Sequence, residues 1–265
     1  MEKSRHKGPL YVQKAFYPET ADWAHVYLLH PPGGVVSGDT LEVSLNLIEE
    51  ANVLLTSPGA TRLYGARADA RCDTPLPQRV VNTLEIGTGS CIEWLPCETI
   101  IYNGASVELE TNISLANDAQ FCGWEVSCLG LPASNAPFIA GDFSQRFSIY
   151  QAGKPVIIDR TSFDAQSDYL RARCGLNLHP VFGTLIAGPF TEQNDVLKRV
   201  IEQLQHFNSQ QNEPECSVTN LNEFVVLRYL GPCSETARKL FVGAWRILRP
   251  ALNGREAIEP RIWAT

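Results

Sequence analysis

From Gly8 to about Pro189 the chain is a succession of short apolar or alternating stretches, each cut off by turn residues before an ordinary helix has room to form. Tyr11–Ala15, Ala24–Leu29, Leu41–Leu47, Ala51–Thr56, Val80–Ile86, Cys91–Leu95, Val107–Leu115, Phe121–Leu129, Gln145–Tyr150 and Pro155–Asp159 read as strands. Pro-Gly, Asn-Gly, Gly-Thr-Gly, Asn-Asp and Ala-Gly signals separate them and supply the backbone angles that short β connections need. A chain so punctuated is confined to a mainly β fold. Ala51, Ser90 and Ala119 introduce similar strands at spacings of 39 and 29 positions. The intervals are unequal, so there is no strict solenoid period, but the rhythm suggests stacked β-coils.

After Pro189 the texture changes. Thr191 can cap a helix in which Val196, Leu197, Val200, Leu204 and Phe207 fall on one stripe. Asn208–Pro214 reads as a loop and Glu223–Leu230 as a strand. A second helix starts at the cap Ser234, buries Ala237, Leu240, Phe241, Ala244, Trp245 and Leu248, and is stopped by Pro250. The expected organisation is one domain over residues 1–265, with a β-rich body at 8–189 and a helix-strand-helix segment and tail at 190–265.

The sharpest corner is His30-Pro31-Pro32-Gly33-Gly34-Val35-Val36-Ser37-Gly38-Asp39. Pro31 holds His30 extended, Pro32 fixes its own φ, and Gly33 and Gly34 are free to take positive φ. His30 and Asp39 flank the corner. A structural turn, with Asp39 accepting from backbone amides, accounts for these residues as well as a chemical role does.

With 44% hydrophobic and 19% charged residues the chain is an ordinary globular sequence. A net charge of −7 and the lack of any Lys/Arg-rich run exclude a non-specific nucleic-acid binder. The amino terminus carries no signal-peptide pattern and no stretch reaches membrane-spanning length, which points to the cytoplasm. The eight cysteines show no Cys-x-x-Cys spacing; the nearest neighbours, Cys91 and Cys97 or Cys122 and Cys128, are six apart and read as buried thiols in strands. Neither a nucleophile elbow nor a phosphate-binding glycine loop is present.

What stands out is acid on apolar strands: Glu93, Glu98, Glu125 and Asp159. A carboxylate inside a sheet needs a partner. Either these side chains turn to solvent or pair with arginines such as Arg160, or they line a polar interior path for a divalent cation, since carboxylate and imidazole suit a borderline metal such as nickel.

His30–Asp39, Thr56-Ser57-Pro58-Gly59-Ala60-Thr61, Glu93-Trp94-Leu95-Pro96-Cys97-Glu98-Thr99-Ile100 and Pro260-Arg261-Ile262-Trp263-Ala264-Thr265 together resemble the urease accessory protein family UreD, also called UreH. Gly8–Lys14, Phe16-Tyr17-Pro18-Glu19, Gly123-Trp124-Glu125, Cys128–Pro132 and Leu248-Arg249-Pro250 extend the similarity over nearly the whole chain. The resemblance implies a β-helix-like body of stacked strands with two α-helices towards the carboxyl end, and a scaffold in place of an enzyme. It implies binding to UreF, through UreF to the GTPase UreG, and docking on the urease apoprotein, with a homodimer of such heteromers as an open arrangement. Nickel in transit is the implied cargo, delivered with carbon dioxide for lysine carbamylation, and no tightly bound cofactor is expected. The metal route would be lined by Asp39, Glu125 and Asp159, with Glu98 and His30 behind them. A stand-alone nickel metallochaperone and a metal-dependent hydrolase built on His30 and Asp39 are the competing readings.

The chain departs from the family pattern in places. Ser37 stands where a glycine is usual and would be strained at positive φ. Gly65 replaces an arginine and Cys97 a glutamine, and the segment before Gly8 is short enough to leave a strand edge open.

Overall fold

The computed structural model describes residues 4–65, 76–191, 194–210 and 214–264. Its strands are β1 (Tyr11–Val12), β2 (Trp23–Leu29), β3 (Thr40–Leu47), β4 (Asn52–Thr56), β5 (Thr61–Leu63), β6 (Gln78–Ile86), β7 (Cys91–Leu95), β8 (Thr99–Ile101), β9 (Ser106–Leu115), β10 (Gln120–Leu129), β11 (Asp142–Gln151), β12 (Lys154–Asp164), β13 (Val181–Gly188), β14 (Glu215–Leu221) and β15 (Phe224–Gly231). The helices are α1 (Asn194–Gln210) and α2 (Ser234–Asn253). The mainly β expectation with two late helices holds.

Two sheets face one another. The first runs β1-β2-β4-β7-β10-β13-β15-β14, with β5 and β8 continuing beside β10, and the second runs β12-β11-β9-β6-β3. The chain alternates between them, so β2, β4, β7 and β10 stack in parallel in one sheet while β3, β6, β9 and β11 stack in parallel in the other. This is a coil. The unequal spacings have a plain cause in the register: Asn52 pairs with Cys91 and Cys91 with Gln120, so one turn of the coil carries a longer excursion than the next. After β11 the chain reverses, and β12, β13 and β15 add on antiparallel.

Period-2 alternation sorts each strand of the first sheet. On β10, Phe121, Glu125 and Leu129 face the second sheet, while Cys122, Trp124, Val126 and Cys128 face the helices. The two cysteines share a face, and it is core. Helix α2 lays Ala237, Leu240, Phe241, Ala244, Trp245 and Leu248 on that face, and α1 adds Val196, Val200 and Leu204. The predicted stripes are the buried ones.

Beneath the carboxyl half of α2 lies a buried ion cluster. Arg249 Nη2 donates to both carboxylate oxygens of Glu19 at 2.8 and 2.9 Å, and its Nε stands 2.9 Å from Glu93 Oε1. Trp245 Nε1 donates to the same Glu93 oxygen at 2.6 Å, and His25 Nε2 lies 2.8 Å from Glu19. Arg249 also sits over the Trp23 ring, 4.8 Å from its centroid. Three of the motif segments, those carrying Glu19, Glu93 and Arg249, therefore meet at one point.

Several expectations are corrected. Strand β1 is two residues, and β5, β8, β13 and β14 were not anticipated; β5 and β8 are too short to show a period. A hairpin, β14–β15, stands between the helices in place of one strand. Helix α1 continues through Asn208 to Gln210, and α2 starts after Cys233 and passes through Pro250. In the last turn a proline forfeits one N–H bond without ending the helix, and Gly254, at φ 73°, closes it by donating to Pro250 O at 3.0 Å. At the corner, Gly38 takes the positive φ and Ser37 does not. Gly34 is needed for a different reason: a Cβ there would stand 2.6 Å from Arg62 O and from the Tyr64 ring.

Candidate functional site

Between the sheets, the apolar filling is split into two clusters, one around Leu55, Leu84, Ile113 and Ile149, the other around Leu63, Val107, Phe143 and Phe163. The layer separating them is polar. On the first sheet the register sets Glu125 beside Thr184, Thr184 beside Arg228 and Arg228 beside Ser217. On the second it sets Asn82 beside Thr111, Thr111 beside Phe147 and Phe147 beside Asp159. On β6, β9, β13 and β15 the polar residue interrupts an otherwise apolar inward face, and with Glu125, Gln145 and Asp159 these residues form a polar belt between the two apolar clusters.

Glu125 is its centre. Its Oε1 accepts from Thr111 Oγ1 at 2.5 Å and its Oε2 from Gln145 Nε2 at 2.7 Å, so both oxygens act as acceptors, as an ionised carboxylate requires. Asn82 Nδ2 donates to Thr111 at 2.9 Å and fixes that hydroxyl to point at Glu125. Burial pushes the Glu125 carboxyl above its ordinary range, the two hydrogen bonds oppose the shift, and the nearby Asp159 charge adds to it.

Two cavities meet this belt. One, of about 220 Å³, is framed by His30 and Pro32 to Gly34 of the sharp corner, by Ser57 to Arg62, and by Pro96 and Cys97. The other, of about 370 Å³, is walled by Asp159, Thr184, Glu215, Cys216 and Arg228. Glu125 and Gln145 belong to the walls of both. The sharp corner and the Ser57–Arg62 segment thus reach Glu125 from the first cavity, and β12, β13, β14 and β15 reach it from the second.

The anticipated site residues divide. Glu125 and Asp159 come together in the second cavity, and His30 lines the first, where burial lowers its imidazole pKa and the Asp39 charge partly restores it. Asp39 turns to its own loop and accepts from Val36 N–H at 3.1 Å, the structural role its position allowed. Glu98 is half-buried, close to Cys97 and Cys128, and is not among the described residues lining either cavity. Asp159 does pair with an arginine, but it is Arg228 at 2.8 Å and not Arg160. Gln145, Thr111, Asn82 and Thr184 were missed. Their signal was a polar residue on the apolar register of a strand, as in Val80-x-Asn82-x-Leu84-x-Ile86 and Phe143-x-Gln145-x-Phe147-x-Ile149.

Among the described residues no three His, Cys, Asp or Glu side chains gather in a way that could hold a metal ion, and no helix is long and apolar enough to cross a membrane. The departures from the family pattern are accommodated: Cys97 accepts a place beside Ser57, whose Oγ takes its N–H at 3.0 Å, and a Cβ on Gly65 would stand 2.5 Å from Asn103 O.

The model of the family described as "UreD urease accessory protein" matches residues 1–264. A protein of Marinomonas sp. strain MWYL1 named urease accessory protein UreD is 44% identical over 270 residues, covering 100% of this chain and 85% of its own length. Proteins of the same name from Alcanivorax borkumensis and Psychromonas ingrahamii are 39% and 35% identical, each over 100% of this chain and over 85% and 89% of their own lengths. The chain belongs to the UreD family of urease accessory proteins.

Proposed function

We propose that this chain is a non-catalytic scaffold that links the urease apoprotein to a UreF–UreG complex and passes nickel between them through the polar belt. The observation that carries the reading is Glu125, one ionisable group in the walls of two cavities that approach it from different sides. His30 in one cavity and Asp159 in the other supply further donors of the kind a borderline divalent cation accepts. Donors spaced singly along a path hold a cation weakly at each point, which suits transfer better than storage.

Carboxylate oxygens that already accept hydrogen bonds from Thr111 and Gln145 bind a cation only by exchanging those partners. The exchange is local, because both donors are uncharged side chains on neighbouring strands. The test is activation of the matching apoprotein with nickel, bicarbonate, GTP, UreF and UreG, with and without the chain. Activation that needs the chain, and that falls in Glu125→Ala or Asp159→Ala while the complex still assembles, supports both scaffold and path. Equal activation without the chain overturns the proposal.

A further inference from the structure

The pair Asp159–Arg228 lies in the wall of the second cavity. Asp159 stands on the edge strand of one sheet and Arg228 on β15 of the other, so their 2.8 Å contact bridges the two sheets at the wall of the second cavity. Thr184, between Glu125 and Arg228 in register, donates to Asp159 Oδ2 at 3.4 Å and accepts from Arg228 Nη1 at 3.5 Å. The Asp159 side chain is 23% exposed and that of Arg228 53%. The acid is therefore the more buried partner, and the arginine, at the edge of the belt, the more exposed one.

We propose that Arg228 gates the second cavity by competing with a divalent cation for Asp159, a proposal that rests on the belt being a cation path. In the closed arrangement Asp159 is neutralised, and a cation leaving Glu125 meets a fixed positive charge. The gate opens by movement of the Arg228 side chain. Once Arg228 swings out, Asp159 is free, Glu125 and Asp159 together present two carboxylates to the cavity, and Glu215 on β14 lies in the same wall. When Arg228 returns it displaces the cation from Asp159. The pair thus keeps the path from becoming a trap.

Equilibrium dialysis of Ni²⁺ against the full chain tests the gate, comparing the wild type with Arg228→Met, Arg228→Lys, Asp159→Asn and the double variant Asp159→Asn/Arg228→Met. Methionine keeps the stem that packs on the sheet and removes the charge; lysine keeps the charge. The gate predicts that Arg228→Met retains nickel about fivefold or more tightly than wild type, that Arg228→Lys stays near wild type, and that the double variant falls back to the level of Asp159→Asn. Unchanged or weaker retention by Arg228→Met, or no retention by any variant, overturns it. Failure of the path is separable, because it shows as normal nickel delivery to urease by both Glu125→Gln and Asp159→Asn. Loss of delivery in those two with unaltered retention in Arg228→Met sinks the gate alone.

Discussion

Arg249 is the residue on which the helix layer depends, since it answers Glu19 and Glu93 from a fully buried position. Its replacement by leucine leaves two buried carboxylates facing one another, and breaking such a pair costs about 3–5 kcal/mol. Urea unfolding of Arg249→Leu measures the loss. Glu93 adds a pH signature. Burial pushes its carboxyl from 4.5 up to about 7, against the pull of Arg249 and Trp245. Because the folded-state value is raised, the native chain holds this proton where the unfolded chain has released it. The contribution of Glu93 to stability therefore declines as pH rises across that interval and stays low above it. In Glu93→Gln that slope is absent, so the stability of the variant relative to wild type improves between about pH 5 and about pH 8. A parallel pair of stability curves contradicts this. The Glu125 carboxyl is also raised by burial, so the proposed nickel transfer is expected to fall on acidification before ordinary carboxylates titrate. Transfer rates across a pH series read it. Glu125 and Asp159 were visible in the sequence as acids on apolar strands; the Arg249 cluster was not, because its members lie up to 230 positions apart and no local pattern joins them.

At the scale of elements, the belt is a property of register. Asn82, Thr111 and Asp159 lie on different strands of one sheet, and only the parallel stacking of β6 with β9 and of β9 with β11, followed by the antiparallel pairing of β11 with β12, brings them to one depth. Alternation told which residues point inward, and the strands themselves were largely legible. Which inward residues share a level was not, since that needs the coil's register. The corner before β3 shows the same limit. Its prolines and glycines announced a turn, but the reason for Gly34 is the approach of Arg62 and Tyr64 from the next turn of the coil. A methyl group there forces the wall of the first cavity apart. Gly34→Ala is expected to lose about 1–3 kcal/mol of stability, measured by thermal unfolding, whereas Gly59→Ala, with nothing within 4 Å of the added carbon, is expected to change little. Equal effects at both positions contradict the packing argument.

Across the whole molecule, the coil sets a two-sheet body beside a helix layer, and the polar belt lies between the sheets, away from α1 and α2. The helix face and the belt are separated by the thickness of one sheet. A disturbance of the cluster under α2 is therefore expected to be felt as stability, and on the proposed reading a disturbance of the belt as loss of nickel transfer. Whether the belt carries the metal is read by the nickel content of urease matured with Glu125→Gln in place of the wild-type chain, with assembly of the complex measured in parallel. The expected result is a complex that forms normally and a urease depleted in nickel. A normally assembled complex that yields fully loaded urease would contradict it.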